Sequence, residues 1–278
     1  MSTDYDLPDC IQVEADGPIR VIRLNRPDQL NATNRELHSG LAALWPQLDA
    51  DLEARAAVIT GNGRAFSAGG DFDYIDDLTR SVELRTETLV HGRQIVTGMV
   101  HCRVPVIAAV NGPAVGLGCS LVALSDIVYM AESAHLADPH VLIGLVAADG
   151  GPVTWPLLTS LQLAKEYALT GERIPARRAA EIGLANHVCA DDAVFDEALA
   201  CARKIAALPQ RAAEDTKRVL NLHLERAVLA TLDFAFAAED RSFTSPELRA
   251  NIDRLRGGEK QAGKKSAKKS AKKTGKQS

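Results

Sequence analysis

Two glycine-rich stretches are the part of this sequence best suited to chemistry: Arg64-Ala65-Phe66-Ser67-Ala68-Gly69-Gly70-Asp71 and Gly116-Leu117-Gly118. Each follows a short apolar run that reads as a buried strand, and each precedes residues that read as a helix. Glycine lets the main chain take positive φ and come close to a ligand. The N–H groups at a helix start are unpaired, with the positive end of the helix dipole behind them. Two such donors converging on one point, the backbone N–H of Gly70 and of Leu117, would stabilise an oxyanion or an enolate. The competing reading is that both stretches are tight turns, which glycine serves equally well. Neither stretch fits a nucleotide motif. No GxxxxGK[ST] occurs, and no GxGxxG is followed by an acid at the required distance, which argues against phosphoryl transfer and dinucleotide redox chemistry.

Other chemistry-bearing residues point less firmly to a site. Asp71, Asp73, Asp76 and Asp77 could gather a metal, but acids favour the first turn of a helix and a solvated helix start is the preferred reading. His91 and His101 lie ten residues apart on one expected helix and off a common face, so no metal pair is implied. Cysteines 10, 102, 119, 189 and 201 show neither CxxC nor Cys/His spacing. They read as reduced thiols of a cytoplasmic protein, without a disulfide or zinc framework.

The elements that must position these residues alternate between strand and helix. Residues 11–25 read as two strands about a turn at Asp16-Gly17-Pro18. A helix is expected to open at Asn31-Ala32-Thr33, with Leu37, Leu41, Leu44 and Leu48 at helical spacing. Strand Ala56 to Thr60 leads into the first glycine-rich stretch, and a long helix follows over about 82–101. The pattern then recurs, with strand Val104 to Val110, the second stretch, a helix from about Cys119 to Leu124, and strand Asp126 to Ala131. From Leu157 onward the chain reads as helical, with one strand-like interruption at Asn186-His187-Val188. This alternation predicts an α/β fold.

The chain has 278 residues, 46% hydrophobic and 24% charged, enough for a proper core and too apolar for wholesale disorder. No apolar run approaches the roughly 20 residues of a membrane helix. The start, MSTDYDLPDC, is acidic and polar, unlike a secretory signal. The net charge of −4 conceals two unlike parts. Residues 259–278 carry eight lysines against Glu259, a local +7, leaving −11 on the 258 residues before them. That lysine-rich tail has no apolar periodicity and is expected to be disordered, as are residues 1–10 to a lesser degree. Nonspecific polyanion contact would be its natural use.

Five ordered segments carry a family resemblance: Asn25-Arg26-Pro27…Asn31-Ala32, Ala65 to Asp71, Pro105 to Gly112, Ser125-Asp126, and Leu169-Thr170-Gly171…Ala180 to Asn186. Together they resemble the crotonase (enoyl-CoA hydratase/isomerase) superfamily over about residues 10–250. The resemblance implies an α/β spiral of ββα turns over 11–200, and a helical region over 201–258 used to build a homotrimer or homohexamer. It implies a CoA thioester, with no cofactor beyond the CoA of the substrate, lying against Ala68, Gly69, Asp71 and Gly116. Arg23 and Arg26 are the cations available for its phosphates. Gly70 and Leu117 match the family's two backbone oxyanion donors.

The acid/base residues depart from the pattern. Hydratases that this chain resembles use two glutamates, and the matching positions here hold Ser120 and His140. A hydroxyl is no substitute for a carboxylate base, whereas an imidazole with a reference pKa of about 6.5 can act near neutrality. Asp149 follows His140 by nine residues, with Trp155-Pro156 beyond, a spacing similar to that of 6-oxocamphor hydrolase, a crotonase relative that cleaves a C–C bond of a diketone. The expectation is that His140, oriented by Asp149, activates water or shuttles a proton while Gly70 and Leu117 hold an enolate oxygen. Ser120 is then at most a hydrogen-bond donor. Asp149 as a helix N-cap is the structural alternative. The lead function is an enoyl-CoA hydratase-like lyase of the kind used in fatty-acid metabolism. The alternatives are a C–C bond hydrolase using His140 and Asp149, and a weakly catalytic scaffold that binds polyanions through its tail.

Overall fold

A computed structural model describes residues 5–254; the lysine-rich stretch 259–278 lies outside the described residues, as do residues 1–4. Within the N-terminal stretch, the Tyr5 hydroxyl donates to Asp51 (2.9 Å), the Asp6 N–H donates to the Gln47 side chain (2.7 Å), and Cys10 is buried.

Strands β1 (Ile11–Asp16) and β2 (Ile19–Leu24) turn on Gly17, whose φ is +58°, and pair antiparallel. The helix expected to open at Asn31 begins instead at Arg35. Asn34 caps this α1 (Arg35–Ala50) by accepting from the Leu37 N–H at 2.9 Å. Asn31 is left-handed (φ 55°) and serves as a strut. Its side chain accepts from the Arg26 N–H (2.8 Å) and donates to the carbonyls of Asn62 and Ala65 (2.9 Å each), tying the loop after β2 to the first glycine-rich stretch.

Strand β3 (Ala56–Gly61) follows, then α2 (Phe72–Arg80) and the long α3 (Val82–His101) where periodicity predicts it. The recurrence is also observed: β4 (Val106–Val110), β5 (Ala114–Val115), α4 (Leu117–Leu124) and β6 (Ile127–Ala131). Next come β7 (His135–Ala137), the single turn α5 (His140–Ile143), α6 (Gly151–Leu158) and α7 (Leu161–Thr170). The last third holds β8 (Ile174–Pro175), α8 (Ala176–Ile182), β9 (His187–Cys189), α9 (Val194–Ala206) and α10 (Gln210–Phe243). It thus contains two strands where one was expected, because β8 is two residues long and owes its conformation to pairing with β7.

The main sheet runs β1-β2-β3-β4-β6-β9, parallel from β2 onward, and a small sheet runs β5-β7-β8. Strand β3 is buried along its whole length, as a parallel strand covered on both faces must be. Its side chains alternate accordingly. Ala57 and Ile59 join the core shared with α1 and α3, while Ala56 and Val58 pack with Ala198, Leu199 and Ala202 of α9. Among the described residues no helix is long and apolar enough to cross a membrane.

Candidate active site

The two glycine-rich stretches are joined by backbone pairing. Ser67 and Ala114 form a parallel bridge, in which the Ser67 N–H donates to Pro113 O (3.1 Å) and the Val115 N–H to Ser67 O (2.9 Å). The Thr33 N–H donates to Gly69 O at 2.7 Å, and the Gly116 N–H to Ala137 O at 3.0 Å, fixing the outer edge of each loop. Close approach explains the glycines. Gly69 has φ +92°, and a Cβ there would lie 3.2 Å from Val115 O. Gly116 has φ +54°, and a Cβ there would lie 3.4 Å from His140 Cε1 and 3.6 Å from Gly69 Cα. Among the described residues no acceptor takes the N–H of Gly70 or of Leu117, the first residue of α4.

Both residues line a cavity of about 150 Å³, as do Ala68, Gly69, Gly116, His140 and Asp149. Helices α2, α3 and α10 close it with apolar side chains, among them Ile75, Leu78, Leu89, Phe236 and Phe243. Other candidates stand elsewhere. Asp71 accepts from the Asp73 N–H as the N-cap of α2 and faces Arg26 at 3.4 Å, outside the cavity wall. Arg23 stacks on the Phe195 ring of α9 at 4.6 Å, on the opposite side of the sheet from α1. Among the described residues no group of three or more His, Cys, Asp or Glu is arranged to hold a metal ion.

The acid/base residues form two hydrogen-bonded pairs. His140 Nδ1 lies 2.5 Å from Asp138 Oδ1, so Asp138, and not Asp149, orients the imidazole. Asp138 is buried, and a Cβ at Gly151 would lie 3.0 Å from its Oδ2, which places the carboxylate against the first residue of α6. In the second pair the Ser120 hydroxyl donates to Asp149 Oδ1 at 2.7 Å. Asp149 therefore does not cap α6. The cap position is Gly150, with no side-chain bond, and its φ of +133° reserves it for glycine.

These pairings set the charges. Burial pulls the His140 pKa down, but the adjacent Asp138 carboxylate, with Asp149 and Glu239 beyond it, outweighs burial and lifts it to about 10. His140, expected from its reference value to serve as a base, is an imidazolium at neutral pH. Asp138 falls below the usual carboxylate range, because its pairing with His140 overcomes burial. Asp149 is raised, first by burial and then by Asp138, against the opposing pull of His140 and the Ser120 hydroxyl. Glu239 of α10, also on the cavity wall, is raised to about 8 by burial and by Asp149. The site thus holds a proton donor, a carboxylate of enhanced basicity and a largely neutral carboxylic acid beside two open backbone donors. That set can stabilise an enolate and move protons on either side of it.

Asp138, Glu239 and the cavity-lining His38 are absent from the sequence reading. Asp138 carries one local signal, its place two residues before His140 across Pro139. Glu239 and His38 come from helices with no motif of their own.

The sequence profile described as enoyl-CoA hydratase/isomerase matches residues 14–261. The mitochondrial enoyl-CoA hydratase of Pongo abelii is 35% identical over 207 residues, 74% of this chain and 70% of that protein. A probable enoyl-CoA hydratase of Rhizobium meliloti is 34% identical, covering 82% of this chain and 90% of that one. The crystal structure of an enoyl-CoA hydratase/isomerase from Mycobacterium paratuberculosis superposes with a TM-score of 0.88 at 65% identity, covering 90% of this chain and all of that one. With the profile covering most of its length, the chain belongs to the enoyl-CoA hydratase/isomerase family, the crotonase superfamily, and its two sheets and long α10 are that family's fold.

Proposed function

We propose that the protein is an acyl-CoA enzyme that adds water to an unsaturated thioester through an enolate, a lyase reaction run with a substituted acid/base pair. The observation that carries this reading is the open N–H of Gly70 and of Leu117 on the same cavity wall as His140 and Asp149. Where the resemblance calls for two glutamates, the chain has Ser120 and His140. Ser120 does not leave its position without a carboxylate, since Asp149 reaches to within 2.7 Å of its hydroxyl from the loop before α6. In this reading Asp149 supplies the carboxylate that Ser120 lacks, and His140 takes the part of the other acid.

In the hydration step Asp149 takes a proton from water as its oxygen bonds to the β-carbon. The thioester oxygen becomes an enolate oxygen, held by the Gly70 and Leu117 N–H groups. His140, protonated and aimed by Asp138, delivers its proton to the α-carbon. The cycle closes when the proton on Asp149 returns to His140, directly or through water. A second reading, hydrolysis of a C–C bond in a β-diketone, is favoured by Glu239. It sits with His140 and Asp149 as one more acid/base group than hydration uses.

Mass spectrometry separates the two. The purified protein is incubated with enoyl-, 3-hydroxyacyl- and cyclic diketo-CoA thioesters. Gain of one water with the carbon skeleton intact supports hydration, whereas ring opening or release of a fragment supports the hydrolase. His140→Ala and Asp149→Asn should each lose at least about 100-fold in kcat. Wild-type turnover in both would end this assignment. Exposed apolar residues on α10, including Leu229 and Phe234, support the homotrimer or homohexamer that the family resemblance implies.

A further inference from the structure

His38, on α1, is 8% exposed and lines the same cavity. Its Nδ1 meets no hydrogen-bond partner. The other buried polar atoms in that condition among the described residues, the indole nitrogens of Trp45 and Trp155, are not on the cavity wall. A buried polar atom left unserved costs stability that an apolar side chain of similar size would not, so its presence beside a cavity calls for a function. The neighbouring polar groups are already used. The Thr88 hydroxyl donates to Leu84 O at 2.8 Å, so the Tyr74 hydroxyl is the donor in its 2.6 Å bond with Thr88. Beside Tyr74 and Thr88, whose hydroxyls are bonded to one another, the His38 imidazole keeps an unpartnered ring nitrogen.

Its chemistry selects the complement. Burial, and then His91 with its ring centroid 6.2 Å away, hold the His38 pKa near 3, so the imidazole is neutral and offers one donor and one acceptor. Among the described residues no Lys or Arg lines the cavity, while Asp149 and Glu239 do. The one cation among the described residues of the wall, the His140 imidazolium, is already paired with Asp138, so a carboxylate on the ligand near His38 would face Asp149 and Glu239 without a counter-charge of its own. An uncharged oxygen fits.

Its position follows from α10. A Cβ on Gly92 would lie 2.9 Å from Phe236 Cε1 and 4.0 Å from His38 Cε1, which sets His38 across from Phe236. Phe236 and Glu239 are three residues apart on that helix, a rise of about 4.5 Å. Glu239 feels the charges of His140 and Asp149, so the part of the wall that faces His38 lies about one helical turn along α10 from the part that faces those groups.

We propose that His38 is a specificity-determining residue at the far end of the cavity, and that the acyl group this protein takes carries a keto or hydroxyl oxygen about four bonds beyond the reacting carbons. The proposal deepens the acyl-CoA reading and rests on it for the identity of the reacting end.

The test compares three enoyl-CoA thioesters of equal length, ending in an alkyl chain, in a chain with a keto oxygen at that position, and in a carboxylate. Wild type should favour the keto member over the alkyl member by about 10-fold in kcat/KM, with the carboxylate poorest. His38→Phe should bring the keto-to-alkyl ratio to about one without lowering the melting temperature, and His38→Gln should restore part of it. His38→Leu serves if the phenylalanine variant does not fold. A wild-type ratio near one, a ratio that His38→Phe or His38→Leu leaves intact, or a carboxylate preferred over both would overturn the proposal. If wild type converts none of the three, the reaction assignment fails instead. Titration calorimetry with the matching saturated thioesters then reads the same preference, with the same outcomes deciding it.

Discussion

Asp138→Asn isolates the charge that keeps His140 protonated. The substitution keeps an oxygen beside Nδ1 and removes the negative charge now 2.5 Å from it. With that charge His140 titrates at about 10. Without it the remaining influences are burial, which lowers the value, and the more distant Asp149 and Glu239, which raise it, so the imidazole returns toward its ordinary 6.5. At about pH 8 the imidazolium fraction then drops from nearly all to about 3%, and a rate that needs that proton falls about 30-fold. At about pH 6 most of the imidazole is protonated in both proteins, and the loss is less than about twofold. The assay is kcat/KM across this range for whichever thioester the protein converts, with the His140 ring followed by NMR. A distorted site would lose the same factor at every pH. An alkaline limb that stays near 10, or a loss independent of pH, would refute the reasoning. Stability gives a second readout. Because the folded pKa lies above the unfolded one, the ion pair's contribution is complete below about pH 6.5 and lost as pH rises through about 10. In the variant that decline should vanish.

Ser120→Ala removes the hydroxyl that holds the Asp149 pKa down, so the acid limb of the rate profile should move to higher pH. An unmoved limb would mean that Asp149 is not the titrating base. Glu239→Gln should stabilise the fold at neutral pH by about 3 kcal/mol in denaturant titrations. Glu239 rises from 4.5 to about 8 on folding, so its contribution is complete below about 4.5 and is lost progressively up to 8, a loss the amide does not suffer. Near-equal stabilities below about pH 4 and a gap that widens from there toward pH 8 are the signature to look for.

The α/β alternation and the placement of both glycine-rich stretches between a strand and a helix were legible in the sequence because they rest on local rules. Buried parallel strands read as unbroken apolar runs, such as Ala56 to Thr60, and glycines mark where backbone meets backbone, as at Gly69 and Gly116. The start of α1 was not legible. Asn31 and Asn34 are both good caps by residue type, and only the long-range bonds from Asn31 to Asn62 and Ala65 decide which one caps. The partner of His140 was misread because sequence spacing pointed to Asp149, while the fold turns that carboxylate toward Ser120 on α4 and leaves Asp138 beside the ring. The role of His140 changed with it, since a reference pKa says nothing about a buried neighbour. Glu239 and His38 were invisible, for a single polar residue in an amphipathic helix gives no sign of which cavity it will face.

The wall formed by α10 also has a bearing on how the protein comes into being. His140 and Asp149 leave the ribosome well before Phe236, Glu239 and Phe243, and the interval is roughly 5–20 s at ordinary rates of synthesis. During that time the acid/base residues are open to bulk water, and Glu239 is not yet present to share their charge. The cavity is therefore complete only once the last long helix has been made and docked.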